Sequence, residues 1–215
     1  VKIKGQQQTV AAGKIICIGR NYAEHAKELG NPVPDSPILF MKPASCIVHD
    51  GGKVVIPCYS EECHHEVELA VLIGRKGRNI KPANALKHAA GYAVAIDLTL
   101  RDVQNQLKRK GHPWEIAKAF DTSCPLSDFV PADMVPDTSD LNLKLSVNGE
   151  LRQNGNSADM TRPVAEVIAV MSHYFTLEAG DILLTGTPAG VSALHSGDRI
   201  EAEIEGLVTL QITVA

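Results

Sequence analysis

Two glutamates stand two residues apart in an otherwise apolar run, His64-His65-Glu66-Val67-Glu68-Leu69-Ala70-Val71-Leu72-Ile73-Gly74. Successive side chains of a β-strand point to opposite faces. Glu66 and Glu68 therefore share one face with Ala70 and Leu72, while Val67, Leu69, Val71 and Ile73 fill the other. A strand this apolar is mostly buried, and two adjacent buried anions repel unless one is protonated or a cation lies between them. A third carboxylate, Asp97, ends the apolar run at 91–97, on the face of the small residues Ala93 and Ala95. Two Glu and one Asp form a hard oxygen-donor set that suits Mg²⁺, Mn²⁺ or Ca²⁺ better than zinc, and three protein ligands leave positions open for substrate. Read alone, the same residues also fit a strand end facing water, with Asp97 helping to cap the helix that follows.

His25 and Glu28 are three apart in a helical pattern and so neighbours on one helix face. A carboxylate beside an imidazole fixes its tautomer and raises its basicity, as a general base requires; an ordinary surface pair has the same spacing. Lys118 lies between apolar neighbours in Trp114-Glu115-Ile116-Ala117-Lys118-Ala119-Phe120. It is either an edge-strand gatekeeper or a cation aimed into a site. The turn Gly186-Thr187-Pro188-Ala189-Gly190 exposes backbone N–H groups and hydroxyls at a strand end, a nest for a carboxylate or simply a tight turn. Cys58, Cys63, His64 and His65 are too irregularly spaced to favour a zinc site.

The elements that must carry these groups can be read in order. Residues 1–13 form an N-terminal arm, and 14–215 form a single catalytic domain. Residues 14–19 read as a short buried strand ended by glycine, followed by a short polar helix from Asn21 that stops at Gly30-Asn31-Pro32 and suits a mobile lid. The loop-rich stretch to residue 63 holds strands at 38–41 and 53–56. A short helix is expected around 82–88, and Thr99 with Asp102 signals a capped helix running to Lys110 and stopped by Gly111. Residues 121–140 read as a connecting loop. Alternation about Asn148-Gly149 marks a hairpin with a type I′ turn. A helix follows over 163–174, then strands from 182 and 197.

The 215 residues carry a formal net charge of −4 with scattered Lys and Arg, which excludes the electrostatic footprint of a nucleic-acid binder. No apolar run reaches the roughly 18 to 20 residues of a membrane span, and the N-terminus has no basic-then-apolar signal pattern. A soluble, cytoplasmic protein is expected. Five cysteines without a Cys-x-x-Cys pair argue for reduced thiols.

Gly19-Arg20-Asn21-Tyr22 with His25 and Glu28, Lys42-Pro43, His65-Glu66-Val67-Glu68-Leu69, Asp97-Leu98-Thr99-x-Arg101-Asp102-x-Gln104, Ala117-Lys118-x-Phe120-Asp121, Asn148-Gly149-Glu150 and Leu184-Thr185-Gly186-Thr187-Pro188-x-Gly190 resemble the fumarylacetoacetate hydrolase family, in its order. The likeness is nearest to the short acylpyruvase and oxaloacetate decarboxylase type. It implies an α+β, mostly β fold with a mixed β-roll core and a few short helices, usually as a homodimer. It further implies a Mg²⁺ or Mn²⁺ site at Glu66, Glu68 and Asp97, with Ca²⁺ a possible substitute in a crystal. His25 and Glu28 would be a lid dyad, Lys118 an active-site lysine, and Arg20, Arg101, Gln104 and Thr187 substrate contacts. The implied reaction is hydrolysis of 3-acylpyruvates through a pyruvate enolate. Oxaloacetate decarboxylation and 5-carboxymethyl-2-hydroxymuconate isomerisation or decarboxylation, in aromatic catabolism, are the alternatives. A non-catalytic β module holding a structural Ca²⁺ would leave His25, Glu28 and Lys118 without a purpose.

Overall fold

The computed structural model of the chain describes residues 1–28, 30, 36–135 and 137–215; the expected helix stop at Asn31-Pro32 lies outside them. Among the described residues the strands form a mixed eight-stranded sheet, a five-stranded sheet and a three-stranded one, with short helices at their margins. This is the mostly β, few-helix fold indicated by the sequence.

At the centre of the large sheet, Val67–Ile73 pairs antiparallel with Ala89–Ile96, with Val67 opposite Ile96 and Glu68 opposite Ala95. Ile182–Leu184, Ile15–Gly19 and Ile38–Lys42 extend the sheet on one side, Cys124–Leu126 and Ile47–His49 on the other. Both faces of the central pair are covered, which is why its strands are apolar almost throughout. Val67, Leu69, Val71 and Ile73 join the core shared with Leu143, Leu145, Ile200 and Leu210 of the five-stranded sheet. Ala70, Leu72, Ala93 and Ala95 join a second core with Ile15, Cys17, Leu126, Phe129 and Ile182. Each large aliphatic side chain so buried contributes about 1.5–3 kcal/mol relative to exposure, and together they hold rigid the strand ends that carry the acidic residues.

The hairpin Asn142–Val147 and Glu150–Asn156 turns at Asn148 and Gly149 with φ of 53° and 80°, the left-handed pair a type I′ turn requires. The helix Arg101–Lys110 ends on Gly111 in the left-handed conformation, as expected.

Three expectations are corrected. The stretch 121–140 supplies two short strands: Cys124–Leu126, paired with Ile47–His49 and Ala89–Ile96, and Val130–Pro131, paired with Ala89–Ile96. These pairings are long-range, so the prolines and turn formers hid them locally. The expected strand at 53–56 is only Lys53–Val54, and the Val55 N–H donates instead to Thr122 Oγ1. The short helix expected around 82–88 is present, as one α-turn, Pro82–Ala85, continued by the 3₁₀ turn Leu86–His88. Thr99 and Asp102 do not cap the helix that follows them. Its N-cap is Leu100, while Asp102 accepts from Ser60 Oγ at 2.6 Å and the Glu61 N–H at 3.1 Å. Near the start of the chain, Lys2 bridges to Thr9 and Ile3 to Phe129. No helix among the described residues is long and apolar enough to cross a membrane.

Candidate functional site

The central strand pair runs one step past its last registered residues, and the Asp97 N–H donates to the Glu66 carbonyl at 2.8 Å. This bond places Glu66 and Asp97 opposite each other where the two strands splay, with Glu68 one pleat further in. Opposite Glu68, Ala95 is small enough to leave a carboxylate room. Oxygens of Glu66, Glu68 and Asp97 lie within 4.8 Å of one another, and all three residues are buried.

Three cations surround them. Lys118, at the end of the turn Glu115–Lys118, donates to Glu66 Oε2 at 2.9 Å and Asp97 Oδ2 at 2.6 Å. It is thus a cation aimed into the site. The Arg101 guanidinium donates to Glu66 Oε1 and, at 2.8 Å, to Gln104 Oε1. Fully buried Lys42 lies 2.9 Å from Asp97 Oδ1 and donates to the carbonyls of Lys118 and, at 3.0 Å, Ser123.

The carboxylates differ in consequence. Burial opposes the charge of Glu66, but Lys118 and Arg101 outweigh it and hold its carboxyl well below the usual range. Glu68 is pushed well above that range, by burial first and then by Asp97 and Glu66, with the Lys118 charge and a 2.6 Å bond from the Gly186 N–H in opposition. Lys118, Arg101 and Lys42 thus pair with Glu66 and Asp97, and Glu68 is the acid whose charge they stabilise least. Three carboxylate oxygens gathered this closely form an all-oxygen set that fits a hard divalent cation.

His25 Nδ1 lies 3.3 Å from Glu28 Oε2, and Glu28 Oε1 accepts from the Gly190 N–H at 3.0 Å. The helix Ala23–Glu28 is thereby tied to the loop after Ile182–Leu184. One cavity is lined by Arg20, His25, Glu66, Glu68, Asp97, Arg101, Gln104, Lys118 and Thr187. Glu28 does not line it and touches it only through its contact with His25. Cys58 is exposed, His64 pairs with Glu62, and His65 with Gln153 and Ser192. No zinc cluster forms from them among the described residues.

Sequence reasoning missed Gln153 as a site residue. Fully buried, it accepts from the Val67 N–H at 3.0 Å, pairs with His65 Nδ1 at 2.8 Å, and donates to Thr187 Oγ1 and the Pro188 carbonyl at 2.8 and 2.9 Å. It thus clamps the strand of Glu66 and Glu68 to the 186–190 loop. A Cβ at nearby Gly155 would collide with the Pro188 ring, so glycine is what lets that loop close on the strand. Gln153→Leu leaves these buried polar groups unpaired and is expected to cost about 2–4 kcal/mol, read as a lower denaturant midpoint at unchanged m-value.

The fumarylacetoacetate (FAA) hydrolase C-terminal family matches residues 14–215. An oxaloacetate tautomerase of Escherichia coli (strain K12) is 51% identical over 194 residues, covering 90% of this chain and 89% of that protein. A mitochondrial oxaloacetate tautomerase of Rattus norvegicus is 48% identical over 200 residues, covering 93% and 90%. The crystal structure of fumarylpyruvate hydrolase from Pseudomonas aeruginosa, in complex with Mn²⁺ and pyruvate, superposes with a TM-score of 0.96 at 37% identity over 100% of this chain and 94% of that one. On this evidence the chain belongs to the fumarylacetoacetate hydrolase family, whose members are enzymes.

Proposed function

We propose that the chain is a divalent-metal enzyme acting on oxaloacetate, interconverting its enol and keto forms and, through the same enolate, releasing carbon dioxide. The observation that carries this reading is the convergence of three buried carboxylates with Lys118, Arg101, Gln104 and His25 around one cavity. Glu66, Glu68 and Asp97 would hold Mg²⁺ or Mn²⁺, which supplies Lewis-acid stabilisation of negative charge on a 2-oxo oxygen. Lys118 adds a second positive charge beside the same oxygens. Arg101 and Gln104 orient the substrate carboxylate. Glu28 holds the proton on His25 Nδ1, leaving Nε2 to take up or return a proton at substrate C3. Oxaloacetate is favoured by the names of the relatives from E. coli and rat.

A second reading, hydrolysis of a 3-acylpyruvate, is favoured by the fold match to fumarylpyruvate hydrolase. There, water activated by His25 would attack the distal carbonyl and the pyruvate enolate would leave. A homodimer belongs to both readings.

Ketonisation of enol-oxaloacetate, oxaloacetate decarboxylation and acetylpyruvate hydrolysis, each assayed with Mn²⁺, test the two. Oxaloacetate turnover should be fastest and vanish with chelator, and His25→Ala should slow ketonisation by about 10²–10⁴-fold. Faster acetylpyruvate cleavage would transfer the assignment to the hydrolase. Activity indifferent to chelator would end both readings.

A further inference from the structure

One wall of the cavity is aromatic and carries a cation at each end. Phe40 and Trp114 stand with ring centroids 6.1 Å apart. Lys118 Nζ lies 4.8 Å from the Phe40 centroid, and Lys108 Nζ 5.3 Å from that of Trp114. The inner ammonium is neutralised by Glu66 and Asp97, whereas Lys108 has no carboxylate partner among the described residues. Lys108 nevertheless lines the same cavity. It follows Arg101 and Gln104 at helical spacing on the helix Arg101–Lys110, so three polar side chains of one helix face look into the site. Two turns of helix, about 10 Å of rise, separate Arg101 from Lys108, which places the lysine outward of the acidic residues.

The charges of the cavity point the same way. Arg20, Arg101, Lys108 and Lys118 face three carboxylates, and a divalent cation would add two more positive charges. A substrate with one carboxylate leaves that excess standing, and one with two offsets it further. Burial, then the nearby charges of Arg101, Arg20 and Lys118, push Lys108 down to about 8, so an arriving anion restores what the site withholds from this ammonium.

Resting on the 2-oxo acid reading, we infer that Lys108 receives the second carboxylate of a dicarboxylic 2-oxo acid whose body lies along the Phe40 and Trp114 wall. Lys108 thereby sets selectivity for dianionic over monoanionic substrates.

The test uses two unreactive acids of equal chain length, 2-oxoglutarate and 2-oxopentanoate, titrated calorimetrically into the Mn²⁺-loaded protein. The wild type should bind the dianion about tenfold or more tighter. Lys108→Met should bring that ratio close to one, and Lys108→Arg should keep most of it. A ratio that survives Lys108→Met overturns the inference and moves the receptor to another cation, such as Arg20. Equal weakening of both acids also overturns it, since Lys108 would then serve only the shape of the site. Failure of the wild type to bind either acid would remove the 2-oxo acid reading and the inference with it. A wild-type preference that Lys108→Met leaves intact would remove the inference alone.

Discussion

Glu68→Gln is expected to abolish tight Mn²⁺ binding and lower oxaloacetate turnover by about 10²-fold or more, while leaving the metal-free protein at least as stable as the wild type. The split follows from the unequal surroundings of the three acids. Burial and the anions of Asp97 and Glu66 push the Glu68 carboxyl well above its usual range, so without metal it keeps its proton to higher pH than an ordinary carboxyl does. A neutral glutamine of the same shape can replace the protonated acid and still accept the bond from the Gly186 N–H. The linkage sign follows. A carboxyl whose pKa is raised by folding binds a proton in the folded state that the unfolded chain has released. Stability of the metal-free wild type therefore falls as pH rises from the ordinary carboxylate range towards the raised value. Glu68→Gln should be free of that decline. Denaturant melts in chelator across this pH range, beside Mn²⁺ calorimetry, check both halves. A loss of several kcal/mol in the metal-free variant would contradict a protonated Glu68.

Lys42→Met should be the more damaging change to the fold. Lys42 is fully buried, 2.9 Å from Asp97 Oδ1, and holds the carbonyls of Lys118 and Ser123. Burial alone would lower its affinity for a proton, but Asp97 outweighs burial and keeps the ammonium charged. Removing one partner of such a buried pair leaves uncompensated charge and unpaired carbonyls, a cost of about 3–5 kcal/mol. The same bonds set Asp97 and the Lys118 backbone in position. Metal affinity should thus fall in whatever fraction remains folded, and excess Mn²⁺ should recover part of the activity. Thermal melts of the metal-free protein with Mn²⁺ titrations check this, and a loss below about 1 kcal/mol would show that Lys42 is not holding the site together.

Much of the site was legible because its chemistry follows short periods. Glu66 and Glu68 are two apart, so strand geometry alone puts them on one face, and an apolar strand implies that this face is buried. Asp97 ends the next apolar run, which is the strand beside them. His25 and Glu28 are one helical turn apart, and their contact is local. The Asn-Gly hairpin was legible for the same reason, since two left-handed residues define the turn without help from distant chain.

What only the tertiary structure decided depends on contacts between residues far apart in sequence. Lys42 closes a strand 55 residues before Asp97, and Gln153 lies 34 residues before Thr187; no periodicity joins either pair. Cys124–Leu126 was hidden because its strand partners, not its own prolines and turn formers, make it a strand. Lys118 was undecided between an exposed edge and a buried cation until the turn Glu115–Lys118 brought it to Glu66 and Asp97. The sequence by itself determined that two carboxylates share one face of an apolar strand, because that is a property of backbone period and composition. Which cations balance them was decided by packing, because charge compensation in a low-dielectric interior depends on distance through space and not along the chain.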